Sequence, residues 1–106
     1  MLTKFRQQLL DAVNLAAGTL FAQPGEMPAV ELETPGERAH GDFACNIAMK
    51  SARVLRQSPL AIAQGLVPLI QERLRAAGLD EKIDRVEVKA PGFINFYLSR
   101  SALYDI

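Results

Sequence analysis

At 106 residues, with 49% hydrophobic and 23% charged side chains, the chain has the composition of one soluble globular domain with a single modest core. A formal net charge of zero argues against a generic electrostatic binder of nucleic acid, and no apolar run reaches the ~18–20 residues of a membrane span. One cysteine and one histidine exclude an intramolecular disulfide and disfavour a structural zinc site, which fits a reducing, cytoplasmic setting. The amino terminus also lacks the basic-then-apolar layout of a signal peptide.

Leu2 to Phe21 places Leu2, Phe5, Leu9, Val13, Ala16 and Leu20 at steps of three and four, the stripe of an amphipathic helix. Gly18 weakens its last turn and Gln23-Pro24-Gly25 ends it. Ala29 to Thr34 then alternates, Val30 and Leu32 against Glu31 and Glu33, and reads as a short edge strand between Pro28 and Pro35. A polar loop from Pro35 to Gly41 carries His40. Asp42 is expected to cap a helix running roughly from Phe43 to Arg56, with Ile47, Ala48, Ser51 and Leu55 on its buried side. Ser58-Pro59 marks the next helix start, which continues to about Ala77 and stops at Gly78; Pro68 inside it is expected to kink it near Gln64.

After the charged turn Asp80-Glu81-Lys82 comes a hairpin from Val86 to Ser99, reversed by Pro91-Gly92. Val86 and Val88 share one face of its first strand, Glu87 and Lys89 the other. In its second strand Ile94, Phe96 and Leu98 form an apolar face that must enter the core. Phe93, Asn95 and Tyr97 lie opposite. Ser101 to Ile106 reads as the first turn of a further helix. The order predicts an α+β two-layer sandwich, with a three-stranded antiparallel sheet and three helices packed on one face.

Most chemistry is excluded at this level. The seven glycines are dispersed, so no glycine-rich phosphate loop exists. Cys45 sits among alanines and reads as a small buried hydrophobe rather than a nucleophile. His40 is placed to close its loop by hydrogen bonding or to contact phosphate. Charge is unevenly spread: residues 1–49 hold three basic and six acidic groups, and residues 50–106 hold nine and six. That asymmetry either steers an anionic partner or is scatter on a solvated surface. The open face of Phe93, Asn95 and Tyr97 remains, where an aromatic beside an amide can stack an unstacked base and bond its edge. Its alternative use is packing against another domain.

The segment Lys89-Ala90-Pro91-Gly92-Phe93-Ile94-Asn95-Phe96-Tyr97-Leu98 resembles the G-P-G-[FY]-[IL]-N signature of the amino-terminal domain of arginyl-tRNA synthetases. His40-Gly41-Asp42-Phe43-Ala44-Cys45-Asn46 is similar to that domain's G-D-[YF]-x-x-N stretch, and the Ser58-Pro59 helix to its third segment. The three occur in the family's order across essentially the whole chain.

The resemblance implies a tRNA-binding module over residues 1–106 that docks on the elbow of tRNA(Arg) and reads a D-loop nucleotide. Phe93 and Asn95 fall on the family's base contacts, and Ala90 on a third that has no polar side chain here. Lys89 and Arg85 are candidates for phosphate by proximity. The signatures that activate arginine with ATP and the helical anticodon-binding domain are absent from this chain. It is therefore expected to be non-catalytic alone, either one domain of a longer ligase or a free-standing relative. No cofactor is expected in it, and ATP and magnesium are implied for the parent enzyme. The expected partners are tRNA and the catalytic domain of the same polypeptide, the domain being cytoplasmic, monomeric and not membrane-bound. The competing reading is a structural or self-association module that uses the open sheet face.

Overall fold

The computed structural model describes residues 3–100. Within them the elements are α1 (Thr3–Gly18), β1 (Leu32–Glu33), β2 (Phe43–Cys45), α2 (Ile47–Leu55), α3 (Pro59–Ala76), β3 (Ile83–Lys89) and β4 (Phe93–Leu98). The expected helix at Ser101 to Ile106 lies outside the described residues, as does Leu2 at the start of the first stripe. The class is α+β, with an antiparallel sheet in the order β1-β2-β4-β3. The sheet thus has four strands where three were expected.

The additional strand is Phe43–Cys45, which the sequence places in a helix. Three residues are too few for periodicity to separate the two states, and Phe43 or Ala44 fits the helical spacing of Ile47 and Ala48. Contacts from β4 decide the matter. Gly41, at φ +92°, lets the backbone approach so closely that the Asp42 amide donates to the Phe96 carbonyl at 2.8 Å. The Asp42 carboxylate is engaged as well, accepting from the Leu98 amide at 2.9 Å. Asp42 therefore caps nothing; it fastens the chain to the sheet, and Phe43–Cys45 runs on as a strand paired with both β1 and β4. The helix begins only after Asn46, whose side chain makes no capping bond.

The other boundaries follow local chemistry. Ser58 Oγ accepts from the Ala61 amide at 3.1 Å, with Pro59 at the first helical position, as a hydroxyl N-cap should. Gly78, at φ +74°, stops α3. α3 is helical on both sides of Pro68, and the carbonyl its ring deprives of a partner, at Gln64, belongs to an exposed residue that water can reach. α1 buries Phe5, Leu9, Val13 and Ala16 as its spacing requires, but ends at Gly18, so Leu20 is left on the surface.

The core lies between the helices and the inner sheet face. α3 packs on β3 and β4, α2 on α3 and β4, and α1 on α3, while Arg6 of α1 donates to the Leu32 carbonyl of β1 at 2.8 Å. Ile94, Phe96 and Leu98 are buried within the same apolar cluster as Leu9, Ile47, Leu66 and Ile70. Each such side chain contributes about 1.5–3 kcal/mol by leaving water. Cys45 is buried on this inner face, and burial pushes its thiol above the ordinary range; it is a small hydrophobe, on a strand rather than a helix. Ser51 is the exception, a buried hydroxyl with no partner among the described residues.

Two glycines set opposite expectations. A Cβ on Gly41 would stand 2.7 Å from the Phe96 carbonyl oxygen at a left-handed φ, whereas one on Gly65, inside α3, would meet nothing within 4 Å. Gly65→Ala should raise stability by about 0.5–1 kcal/mol through helix propensity. Gly41→Ala should lower it by about 1–3 kcal/mol through strain. Urea unfolding of the two variants beside wild type measures both signs.

Candidate nucleic-acid interface

The cross-strand register assigns side chains to faces, because directly paired residues point the same way. Phe43 pairs with Phe96, Cys45 with Ile94, Val86 with Phe96 and Val88 with Ile94, all toward the helices. The alternate residues face outward. Glu33, Ala44, Asn95 and Glu87 form one row across all four strands, flanked by the pairs Lys89–Phe93 and Arg85–Tyr97. A register shift between Ile83 and Arg85 leaves Asp84 as the extra residue.

This outer face is less open than the sequence suggests. The Pro35–Gly41 loop folds over it, held by Gly41 and Asp42 at one end and by the Tyr97 hydroxyl, which donates to the Ala39 carbonyl at 2.6 Å. Tyr97 is consequently buried, at 9% exposure, and Asn95 more so, at 3%. Arg85 covers the other side of the tyrosine ring with its guanidinium 3.9 Å from the centroid, a cation–π contact. Its Nε and Nη1 reach Glu87 at 2.7 Å and Asp84 at 3.1 Å. The hydrogen bond from Arg85 lowers the Glu87 carboxyl below its ordinary range, although both groups are exposed.

Between loop and sheet a cavity of about 270 Å³ remains, lined among others by Glu33, His40, Ala44, Lys89, Phe93 and Asn95. That is near the lower end of small-molecule sites (~300–1,000 Å³), with room for one flat ring system. Phe93 is half-buried on its wall. Asn95 borders it with a carboxamide that makes no side-chain hydrogen bond to any described residue. Although the residue as a whole is buried, its amide faces the cavity, where solvent or a ligand can meet its donor and acceptor.

Of the residues singled out from the sequence, Phe93, Asn95, Lys89 and Ala90 come together here. Arg85 does not line the cavity and spends its guanidinium on Tyr97, Glu87 and Asp84. His40 joins the wall, a place that its loop position alone did not specify. Glu33 and Ala44 were missed as lining residues. The alternation of Ala29 to Thr34 already puts Glu33 on the polar face, but Ala44, with Ala48 and Ala52, reads as a small residue of a helix that approaches a neighbour closely, not as part of a sheet's outer row.

The family model described as "Arginyl tRNA synthetase N terminal domain" matches residues 3–98. The chain belongs to that family. It is 43% identical over 106 residues to arginine–tRNA ligase 1 of Halalkalibacterium halodurans, covering 100% of this chain and 17% of the relative. With the arginine–tRNA ligase of Cupriavidus necator the identity is 39% over 106 residues, and with that of Listeria monocytogenes strain HCC23 it is 36% over 107, at the same coverage of 100% and 17%. The chain thus spans about one-sixth of the length of these relatives. Among its described residues no helix is long and apolar enough to cross a membrane.

The Arg85–Glu87 contact makes a pH prediction. A carboxyl lowered in the fold adds stability above its unfolded value of about 4.3 and loses it as pH falls through the folded value. Glu87→Gln should therefore be less stable than wild type at neutral pH and match it near about pH 2. Urea midpoints of both proteins across pH test this, and a gap of constant size into acid would rule out the ion pair as its source.

Proposed function

We propose that this domain is a tRNA-binding module, which docks on the elbow of tRNA(Arg) and reads one unpaired D-loop nucleotide in support of arginylation by a catalytic core elsewhere in a longer ligase. The observation that carries the reading is the cavity, where a half-buried aromatic, an amide with no side-chain partner among the described residues and a cation converge. Phe93 stacks on the base, Asn95 hydrogen-bonds its edge, and Lys89 at the rim meets phosphate. Arg85, placed beside phosphate by sequence proximity alone, instead braces Tyr97 and through it the loop wall.

ATP and magnesium belong in this reading to the absent core. No group of three or more His, Cys, Asp or Glu among the described residues is arranged to hold a metal, so no residue here is assigned to them. The partners are tRNA and the remainder of the polypeptide, and the setting is the cytoplasm. Self-association through the outer face is less well supported, because the 35–41 loop covers much of that face and leaves a concave slot rather than a flat apolar surface.

Affinity of the domain alone should be weak, since a net charge of zero releases few counterions. Titration of wild type, Phe93→Ala and Asn95→Ala with a tRNA(Arg) transcript tests the reading. Loss of about 1–3 kcal/mol per contact, roughly 5- to 150-fold in Kd, is expected for each variant. Equal binding by all three would remove the base-reading role.

A further inference from the structure

We propose that Ala44 is the specificity-determining floor of the cavity, which admits a single base edge-on between Glu33 and Asn95 because residue 44 carries only a methyl group. The inference rests on the base-reading role above and adds to it the residue that sets the shape of the seat.

Glu33, Ala44 and Asn95 are consecutive members of one outward row on β1, β2 and β4. Neighbouring strands lie about 4.7–4.9 Å apart, so the outer two stand roughly 9–10 Å from one another. In an ordinary sheet the middle position of such a row is filled by a β-branched or aromatic side chain touching both neighbours. Alanine is a poor strand residue, and β2 is an interior strand, paired on both sides. On the inward face the same strand carries Phe43 and Cys45, packed into the core. The one outward residue of β2, Ala44, thus stands where the cavity lies. The space above it borders Asn95, its neighbour on β4, whose carboxamide makes no side-chain hydrogen bond to a described residue.

Charge orients what enters. The Glu33 carboxylate forms the far wall and repels phosphate, while Lys89 lies at the opposite side with Phe93 and attracts it. A nucleotide accordingly seats its base in the slot, edge toward Asn95, with its backbone passing on the Lys89 side. Glu33, two strands away, is an acceptor for an N–H on the base's other edge.

The test uses the whole chain and an unmodified tRNA(Arg) transcript. Ala44→Val suits a strand, so its unfolding midpoint should equal or exceed that of wild type. Its affinity should nonetheless fall by at least about tenfold, the scale of one lost base contact. Ala44→Thr supplies the same bulk should the valine variant not fold, and Ala44→Ser, which stays small, should bind within about threefold of wild type. A folded valine or threonine variant that binds like wild type overturns the inference, and so does a serine variant as weak as the bulky ones. If Phe93→Ala weakens binding while Ala44→Val does not, only the floor role falls. If neither does, the base-reading falls and this with it.

Discussion

The close approach of Gly41 and Asp42 to β4 is the constraint on which the remaining architecture depends. A left-handed glycine lets the Asp42 amide reach the Phe96 carbonyl, and the Asp42 carboxylate then takes the Leu98 amide. Two hydrogen bonds from one residue direct the next three into the sheet. Without them Phe43–Cys45 has no reason to leave the helix whose spacing it fits. β1 would lose its partner, since among the described residues it pairs with β2 alone. The same clamp brings the 35–41 loop across the outer face and so creates the cavity.

β4 consequently serves two separate purposes at alternate residues. Its inward side chains, Ile94, Phe96 and Leu98, are close-packed and interchangeable only with groups of like volume. Its outward ones, Phe93, Asn95 and Tyr97, border a slot and a loop, and their identities follow from shape and hydrogen bonding rather than from core packing. Gly92 links the two sides. A Cβ there would meet Pro59 at 2.7 Å, so the hairpin turn beside Ala90 and Phe93 rests against the start of α3. The rim of the cavity is thereby fixed to the longest helix of the domain.

Much of this was legible in the residues. The hairpin stood out because it alternates cleanly and carries Pro91-Gly92, and the α3 start because Ser58-Pro59 combines a cap with a preset φ. Both signals act over a few residues, which is why they survive without tertiary information. Asp42 misled for the opposite reason. Its side chain is a fine cap in isolation, but it bonds to Leu98, fifty-six positions away, a partner no local pattern shows. Tyr97 reads from its strand as one more residue of an open or packing face, whereas its hydroxyl holds the loop at Ala39, again at long sequence range. Phe93 and Asn95 were found because strand alternation placed them outward. The wall that encloses them was not, because it is built from a loop and from a strand mistaken for helix.

The two ends of the sheet have a bearing on solubility. An unpaired strand edge is a template for adding another chain, and evolution blunts such edges with shortness, irregularity and charge. β1 is only two residues long. β3 carries an irregularity at Asp84 and, beyond it, the exposed charges Arg85, Glu87 and Lys89. Neither edge favours edge-to-edge aggregation, so the domain can keep a concave, partly apolar recess open to solvent without that recess becoming the seed of a fibril.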